Sequence, residues 1–137
     1  MAMTHQLADT VLGEYLKGGA TPHIWLHTGS PGTDGTANVA QTGVPANIVR
    51  KAVAFGDITN HPDNDERRVL SSGLVEWSGA EIAAAQEIQY FSIWSAASEG
   101  AVRFWAPVTT PKTTGSDGVS IAIGDLEVAL EVALKPT

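Results

Sequence analysis

Apolar residues near the start of the chain recur at helical spacing. Five of them follow each other at intervals of four, one, three and one: Leu7, Val11, Leu12, Tyr15 and Leu16. This spacing places them on one face of a helix at about 100° per residue. Thr4 is a candidate N-cap, and Gly18 is a candidate stop. We therefore predict a helix over residues 4–17, which must dock against another element because so short a helix is marginal alone.

From residue 23 onward the apolar positions alternate with a period of two, the period of β-strands. Seven runs show this alternation: 23–27, 48–55, 69–77, 88–94, 101–106, 119–123 and 126–134. The last run alternates most strictly, as expected of a half-buried antiparallel strand. The pattern predicts a mainly all-β fold, an antiparallel β-sandwich of jelly-roll or Ig-like type with about seven to eight strands and one N-terminal α-helix.

The length of 137 residues is typical of one domain, and the chain contains no internal repeat or linker. We expect a single domain over 1–137, with the helix at 4–17 and the sandwich at 23–134. Two long polar stretches, 29–47 and 57–68, do not fit the strand pattern. Loops of this length in a compact domain are usually functional or mobile.

The charge balance excludes several classes of partner. Eight Lys and Arg against 15 Asp and Glu give a net charge of −7, which argues against nucleic acid because phosphate binding needs clustered cations. The absence of cysteine excludes disulfides and thiolate nucleophiles. No apolar run reaches about 18 residues, and the first residues lack a basic segment before an apolar run, so we expect neither a membrane span nor a classical secretion signal.

The histidines and the acidic loop contain the candidate metal ligands. On a strand, His23 and His27 share a face about 13 Å apart, which predicts surface or edge histidines and no shared metal. The acidic residues from Asp63 onward do not match an EF-hand loop, because glycine and glutamate are missing at the required positions. A looser calcium site formed by Asp57, Asp63 and Asp65 stays open beside the simpler interpretation, a solvated charged loop.

No catalytic motif stands out. The glycine-rich segment 29–36 lacks both the lysine of a phosphate-binding loop and a following helix. A Gly-x-Ser-x-Gly nucleophile elbow is absent. Glu127 and Glu131 alternate on a polar strand face, where carboxylates are normally solvated. We expect no enzymatic activity and no cofactor.

Two tryptophans are the strongest candidates for an interaction surface. Trp25 and Trp105 have the opposite strand parity to their apolar neighbours. Either they form a second buried layer under the N-terminal helix, or they are exposed anchors of a protein interface, where tryptophan is enriched. The candidate interface combines these tryptophans with the apolar face of the helix: Trp25, Trp105, Leu7, Val11, Leu12 and Tyr15.

Several segments resemble a recurring layout in small virion proteins of bacteriophages. These segments are Leu-His-Thr-Gly-Ser-Pro-Gly at 26–32, Val-Arg-Lys-Ala-Val-Ala-Phe-Gly at 49–56, Phe-Ser-Ile-Trp-Ser-Ala-Ala at 91–97, Pro-Val-Thr-Thr-Pro-Lys-Thr at 107–113 and Gly-Val-Ser-Ile at 118–121. The resemblance extends over most of residues 5–134. It is a resemblance to tail-fibre-like, minor tail or capsid decoration proteins, mostly of phages of actinobacteria. The chain departs from the family pattern in 57–68, which is extended, and in the outward Trp105.

The resemblance implies a non-enzymatic structural component on the exterior of a virion, assembled in the host cytoplasm. Its partners would be other virion proteins, the major capsid or tail proteins. It would form a homo-oligomer, of which a trimer is favoured. The alternative is a carbohydrate- or host-surface-binding module, in which an exposed tryptophan stacks on sugar.

Overall fold

The computed structural model describes residues 3–18, 21–40 and 50–132. Within these ranges the fold is all-β, with antiparallel sheets and one short helical segment. Helix α1 (His5–Leu12) continues into a π-helical turn (Gly13–Lys17). The strands are β1 (His23–His27), β2 (Lys51–Ala52), β3 (Thr59–Asn60), β4 (Glu66–Leu70), β5 (Val75–Trp77), β6 (Glu87–Trp94), β7 (Val102–Thr113), β8 (Val119–Ile121) and β9 (Glu127–Glu131).

The helical segment begins and ends as the sequence predicts but changes type midway. The backbone N–H of Leu7 donates to Thr4 Oγ1 at 3.1 Å, so Thr4 is the N-cap. Gly13 opens the π-helical turn, in which the N–H of Gly18 donates to the carbonyl of Gly13 at 2.8 Å. The predicted apolar face divides into two rows. Leu12 and Leu16 are buried together with Ala8, which was not among the predicted residues, whereas Leu7 and Tyr15 in the neighbouring row are exposed.

The largest sheet has the strand order β2-β1-β6-β7, with every neighbouring pair antiparallel. β1 and β6 pair over their whole overlap, from His23 opposite Trp94 to His27 opposite Tyr90. One face of this sheet contributes apolar side chains such as Ile24 to the main core. β7 lies at the edge and pairs only with β6 among the described strands.

Two smaller sheets complete the sandwich: β3-β4-β9 and β5-β8. The core between the sheets is closed by the helical segment, and its fully buried members include Leu12, Ile24, Val69, Ile88, Phe91, Ile93 and Leu126. The run 69–77, predicted as one strand, divides between β4 and β5. Ser71 lies in the break, where its Oγ accepts from the N–H groups of Gly124 and Leu126.

The structure corrects several predicted boundaries. Within 48–55 only Lys51–Ala52 is a strand, and residues 48–49 lie outside the described residues. β7 runs past Pro107 and Pro111 to Thr113, whereas the pattern ended it at 106. Proline lacks an N–H for pairing, and it is tolerated here because β7 is an edge strand. β9 ends at Glu131, and residues 133–134 of the predicted run are also outside the described residues.

The stretch 57–68 is not one continuous loop. Thr59 and Asn60 pair with Arg68 and Arg67, so β3 and β4 form a hairpin. Polar side chains support this hairpin, since Arg67 Nη1 donates to Asn60 Oδ1 at 2.9 Å. The absence of apolar alternation concealed these strands in the sequence. In the described part of the chain, no helix has the length and hydropathy needed to cross a membrane.

Candidate functional site

The outer face of the largest sheet carries a second, smaller buried cluster around Arg50. The guanidinium carbon of Arg50 lies 3.8 Å from the ring centroid of Trp94 and 4.9 Å from that of Trp25. Its Nη1 donates to the carbonyl oxygens of Glu99 at 2.6 Å and Ala96 at 3.2 Å. Trp25 is therefore buried, with 7% of its surface exposed. Its ring contacts Arg50, Trp94 and His27. The sequence analysis had suggested burial under the N-terminal helix instead.

His27 belongs to the same cluster and is fully buried, so its prediction as a surface or edge histidine is wrong. Its Nδ1 lies 2.8 Å from the carbonyl oxygen of Ala37, which requires a proton on Nδ1. Nε2 then accepts from the hydroxyl of Ser92 at 2.7 Å, and Ser92 Oγ accepts from Trp94 Nε1 at 2.8 Å. Burial lowers the pKa of His27, which favours this neutral form.

A serine hydroxyl held by a histidine resembles the nucleophile and base of a hydrolase. Here neither Ser92 nor His27 has exposed surface. The Ser92 oxygen is also occupied by the indole N–H of Trp94. A substrate cannot reach this oxygen in the described fold, so the pair stabilises structure. Sequence reasoning missed the pair because 65 positions separate its members.

The buried cluster holds the glycine-rich loop that follows β1. His27 contacts the carbonyl of Ala37 in this loop, and the N–H of Thr28 donates to the carbonyl of Asn38 at 2.8 Å. Gly35 has a φ of 72°, and a β-carbon there would lie 2.8 Å from Val102 Cγ2 and 3.1 Å from the Trp94 ring. Only glycine fits this position without strain. The described part of the loop is therefore packed onto the sheet.

The candidate interaction surface lies at the free edge of β7. It consists of Tyr15, Tyr90, Arg103, Phe104 and Trp105, which we call the β7-edge surface. Trp105 is 43% exposed and packs edge-on against Tyr90, with 5.9 Å between ring centroids. Tyr15 is 39% exposed and packs edge-on against Phe104 at 6.5 Å.

Arg103 packs against one of the two aromatic pairs of the β7-edge surface, that of Tyr15 and Phe104. Its guanidinium carbon lies 4.7 Å from the ring centroid of Tyr15, a cation–π contact. A β-bulge at Arg103 interrupts the alternation of β7, so Phe104 lies opposite Ile93 on the core face and Trp105 lies opposite Ser92 on the outer face. Tyr90, Arg103 and Phe104 were not among the predicted interface residues. Their proximity depends on the β6–β7 register and on the docking of the helical segment.

The remaining predicted interface residues separate into exposed and buried groups. Leu7 is 51% exposed and Val11 is half-buried. Leu12 has no exposed surface and Trp25 is only 7% exposed. Neither residue therefore contributes to the exterior of this fold. Leu74 and Ile123 are also exposed, but no aromatic ring contact is found at either position in the described residues. An interface role for Trp105, Tyr15, Leu7 and Val11 stays a prediction.

The acidic residues proposed for a loose calcium site do not converge. Asp57 pairs with Lys17 at 3.3 Å. Asp63 and Asp65 line a cleft of about 360 Å³ together with His5 and His61. Across residues 3–18, 21–40 and 50–132, no group of three or more His, Asp or Glu side chains is arranged to hold a metal ion.

A second cleft, of about 600 Å³, lies beside β5 and β8. Its wall includes Lys51 and Glu81, whose side chains form an ion pair with 2.5 Å between Nζ and Oε2. Glu81 also accepts from the N–H of Ser78 through Oε1 at 2.9 Å. Lys51 first, and then Ser78, lower the pKa of Glu81. Both oxygens of this carboxylate therefore already have partners within the chain.

Comparison with protein families identifies a match over most of the chain. A family model described as podophage GP4 fiber I protein gp80 matches residues 2–129. The match includes all nine strands except the last residues of β9, and it includes the whole β7-edge surface. Comparison with curated proteins finds no match.

Proposed function

Because the chain belongs to the phage fiber family described as podophage GP4 fiber I protein gp80, we propose that it is an accessory structural protein on the exterior of the virion. Family membership supports a structural component of the virion without enzymatic activity. We place it either on the capsid, as a decoration protein, or on the tail, as a minor tail protein.

We propose further that the β7-edge surface attaches the protein to other virion proteins. The observation that carries this proposal is the exposure of Trp105 beside Tyr90 on the outer face of the edge strand β7. Tryptophan, tyrosine and arginine are the residues most enriched among those that dominate binding energy at interfaces. The protein would act as a homo-oligomer, with a trimer favoured. Several weak contacts would then act together and raise the avidity.

The test is the occupancy of particles by variants of the full chain. Trp105→Ala should weaken particle binding by about 2 kcal/mol or more per site if Trp105 is an anchor. Leu74→Ala is the matched control, because Leu74 is also an exposed apolar residue but lies outside the β7-edge surface. A Trp105→Ala protein that folds normally and fully occupies particles would contradict the proposal.

Location and oligomeric state have separate measurements. Mass spectrometry of separated heads and tails should find the protein in one fraction, which distinguishes decoration from minor tail protein. Native mass spectrometry of the purified chain should give a trimer; a monomer at micromolar concentration would contradict the oligomer.

In the alternative function, Trp105 stacks on sugar, and Trp105→Ala would abolish glycan binding while leaving particle occupancy unchanged.

A further inference from the structure

His27 and Arg50 belong to one buried cluster on the outer face of the largest sheet, and neither has an acidic partner there. Both side chains contact the Trp25 ring: the Arg50 guanidinium carbon lies 4.9 Å from its centroid, and the His27 ring centroid lies 5.7 Å from it. Within the described residues, neither side chain forms an ion pair with Asp or Glu. A proton added to His27 would therefore be a second buried positive charge without a counter-charge, which is strongly unfavourable.

The other described titratable groups around His27 do not supply this counter-charge. They are His23 on β1, Glu87 and Tyr90 on β6, Asp34 in the loop after β1, and Glu99 in the turn after β6. All three acidic residues are exposed. Tyr90, opposite His27 in the β1–β6 register, carries an uncharged phenol. The charge of a protonated His27 is therefore stabilised only when water reaches the ring.

The segment that can admit this water is residues 29–40, which we call the β1 loop. The carbonyl of Ala37 in this loop accepts from His27 Nδ1 at 2.8 Å. Backbone hydrogen bonds join the loop to residues 26–28, among them the bond from the N–H of Ala40 to the carbonyl of Leu26 at 2.9 Å. β1 and β6, in contrast, pair at five positions and contribute to the main core. A segment held by few hydrogen bonds opens at a lower free energy than paired core strands do.

We propose that the β1 loop is an acid-released cover: when His27 gains a proton, the loop leaves the outer face of the largest sheet and the imidazolium is hydrated. In the closed loop Gly35 packs against Trp94 and Val102, so its departure exposes apolar surface. This surface lies on the same face of the sheet as Trp105, which is opposite Ser92 in the β6–β7 register. Acid thus enlarges the apolar area of this face without unfolding the core.

The direction of the pH dependence follows from burial. Burial lowers the pKa of His27 in the closed state, and hydration in the open state returns the pKa towards its ordinary value of 6.5. Between these two pKa values the open state binds more protons than the closed state, so a lower pH shifts the equilibrium towards opening. Protonation of Nε2 also removes the acceptor of the Ser92 hydroxyl.

The experiment is hydrogen exchange of the purified full chain at pH 7 and pH 5, followed by mass spectrometry and corrected for the intrinsic effect of pH on exchange. Peptides that cover the β1 loop report its opening, and peptides from β6 report the core. His27→Gln removes the titrating group. His61→Gln is the matched control, because His61 lies at the β3–β4 hairpin, where its Nδ1 accepts from the N–H groups of Asp63 and Asn64.

In the wild type and in His61→Gln, the β1 loop should exchange about tenfold or more faster at pH 5 than at pH 7. The β6 peptides should keep their protection at both pH values. In His27→Gln the loop should exchange equally at the two pH values, because glutamine does not titrate in this range.

Three outcomes overturn the proposal: unchanged protection of the wild-type loop at pH 5, the same acid response in His27→Gln, and loss of protection in the loop and β6 together. If His27→Gln does not fold, the wild type decides the question through an NMR titration of its histidine rings. The His27 ring should then titrate with the same midpoint pH as the opening of the loop, and a different midpoint overturns the proposal.

Discussion

Ser92 Oγ lies 2.7 Å from His27 Nε2 in a part of the sheet where neither residue is exposed to solvent. The hydroxyl donates to the ring nitrogen and accepts from the indole of Trp94, so one small side chain satisfies two buried aromatic groups. A buried polar group without its partner costs far more than a hydrogen bond contributes net. Ser92 is therefore a point at which the fold is sensitive to mutation.

Ser92→Ala should lower the free energy of unfolding by about 1–3 kcal/mol, because it leaves His27 Nε2 and Trp94 Nε1 without partners. Urea denaturation followed by tryptophan fluorescence measures this change. Ser72→Ala, at an exposed serine, should stay within about 0.5 kcal/mol of the wild type. Equal stability of Ser92→Ala and the wild type would contradict the hydrogen-bond assignment.

Stability should also depend on pH through His27. Burial lowers the pKa of His27 below its ordinary value of 6.5 in the folded state. Between the two pKa values the unfolded chain binds more protons than the folded chain, so the free energy of unfolding falls as the pH falls below 6.5. A second histidine, His61, lies 3.9 Å from Glu127. The comparison is therefore made with His27→Gln, whose unfolding should depend less steeply on pH between 7 and 5. Identical pH profiles for the two proteins would exclude His27 as the cause.

Alanine substitution at two glycines with positive φ distinguishes the loss of stability caused by backbone strain from the loss caused by a steric clash. Gly35 has a φ of 72° and no room for a β-carbon beside Val102, whereas Gly124 has a φ of 85° and nothing within 4 Å. Both alanine variants should lose about 1 kcal/mol from backbone strain. Gly35→Ala should lose about 1–3 kcal/mol more from overpacking. Thermal denaturation checks the difference, and equal losses would show that the loop can move away from β7.

Arg50 and Arg103 allow a buried and an exposed cation–π contact to be compared in one protein. Arg50 lies between Trp25 and Trp94 and donates to backbone carbonyls, which lysine cannot match with the same planar geometry. Arg50→Lys should therefore cost about 2 kcal/mol of stability. Arg103→Lys should cost about 0.5 kcal/mol or less, because Arg103 is exposed on Tyr15. Chemical denaturation ranks the two, and a reversed order would contradict the burial of Arg50.

The sequence analysis predicts that no metal ion is required. Chelation with EDTA should therefore leave the melting temperature unchanged, because only an ion bound to the folded state would stabilise it by mass action. A fall of several degrees would show that a bound metal ion stabilises the fold, and it would contradict this prediction.

The sequence by itself determined the class of the fold and the family of the protein. Alternation with a period of two identifies most strands, and the cap at Thr4 identifies the start of the helix, because both signals arise from local backbone geometry. The segments that resemble phage virion proteins also lie within short stretches of chain. Local patterns could not show that β4 and β5 pair with different strands, or that Thr59–Asn60 forms a strand without apolar alternation.

The tertiary structure alone decided which aromatic residues face solvent. Trp25 and Trp105 have the same parity on their strands, yet Arg50 and Trp94 cover the first while the second lies on the edge strand β7. Tyr15 and Leu12 belong to one predicted face, but only Leu12 faces the core. Strand parity and helical spacing define which side of an element a residue occupies. What packs against that side depends on residues distant in sequence, whose positions are fixed only when the sheets assemble.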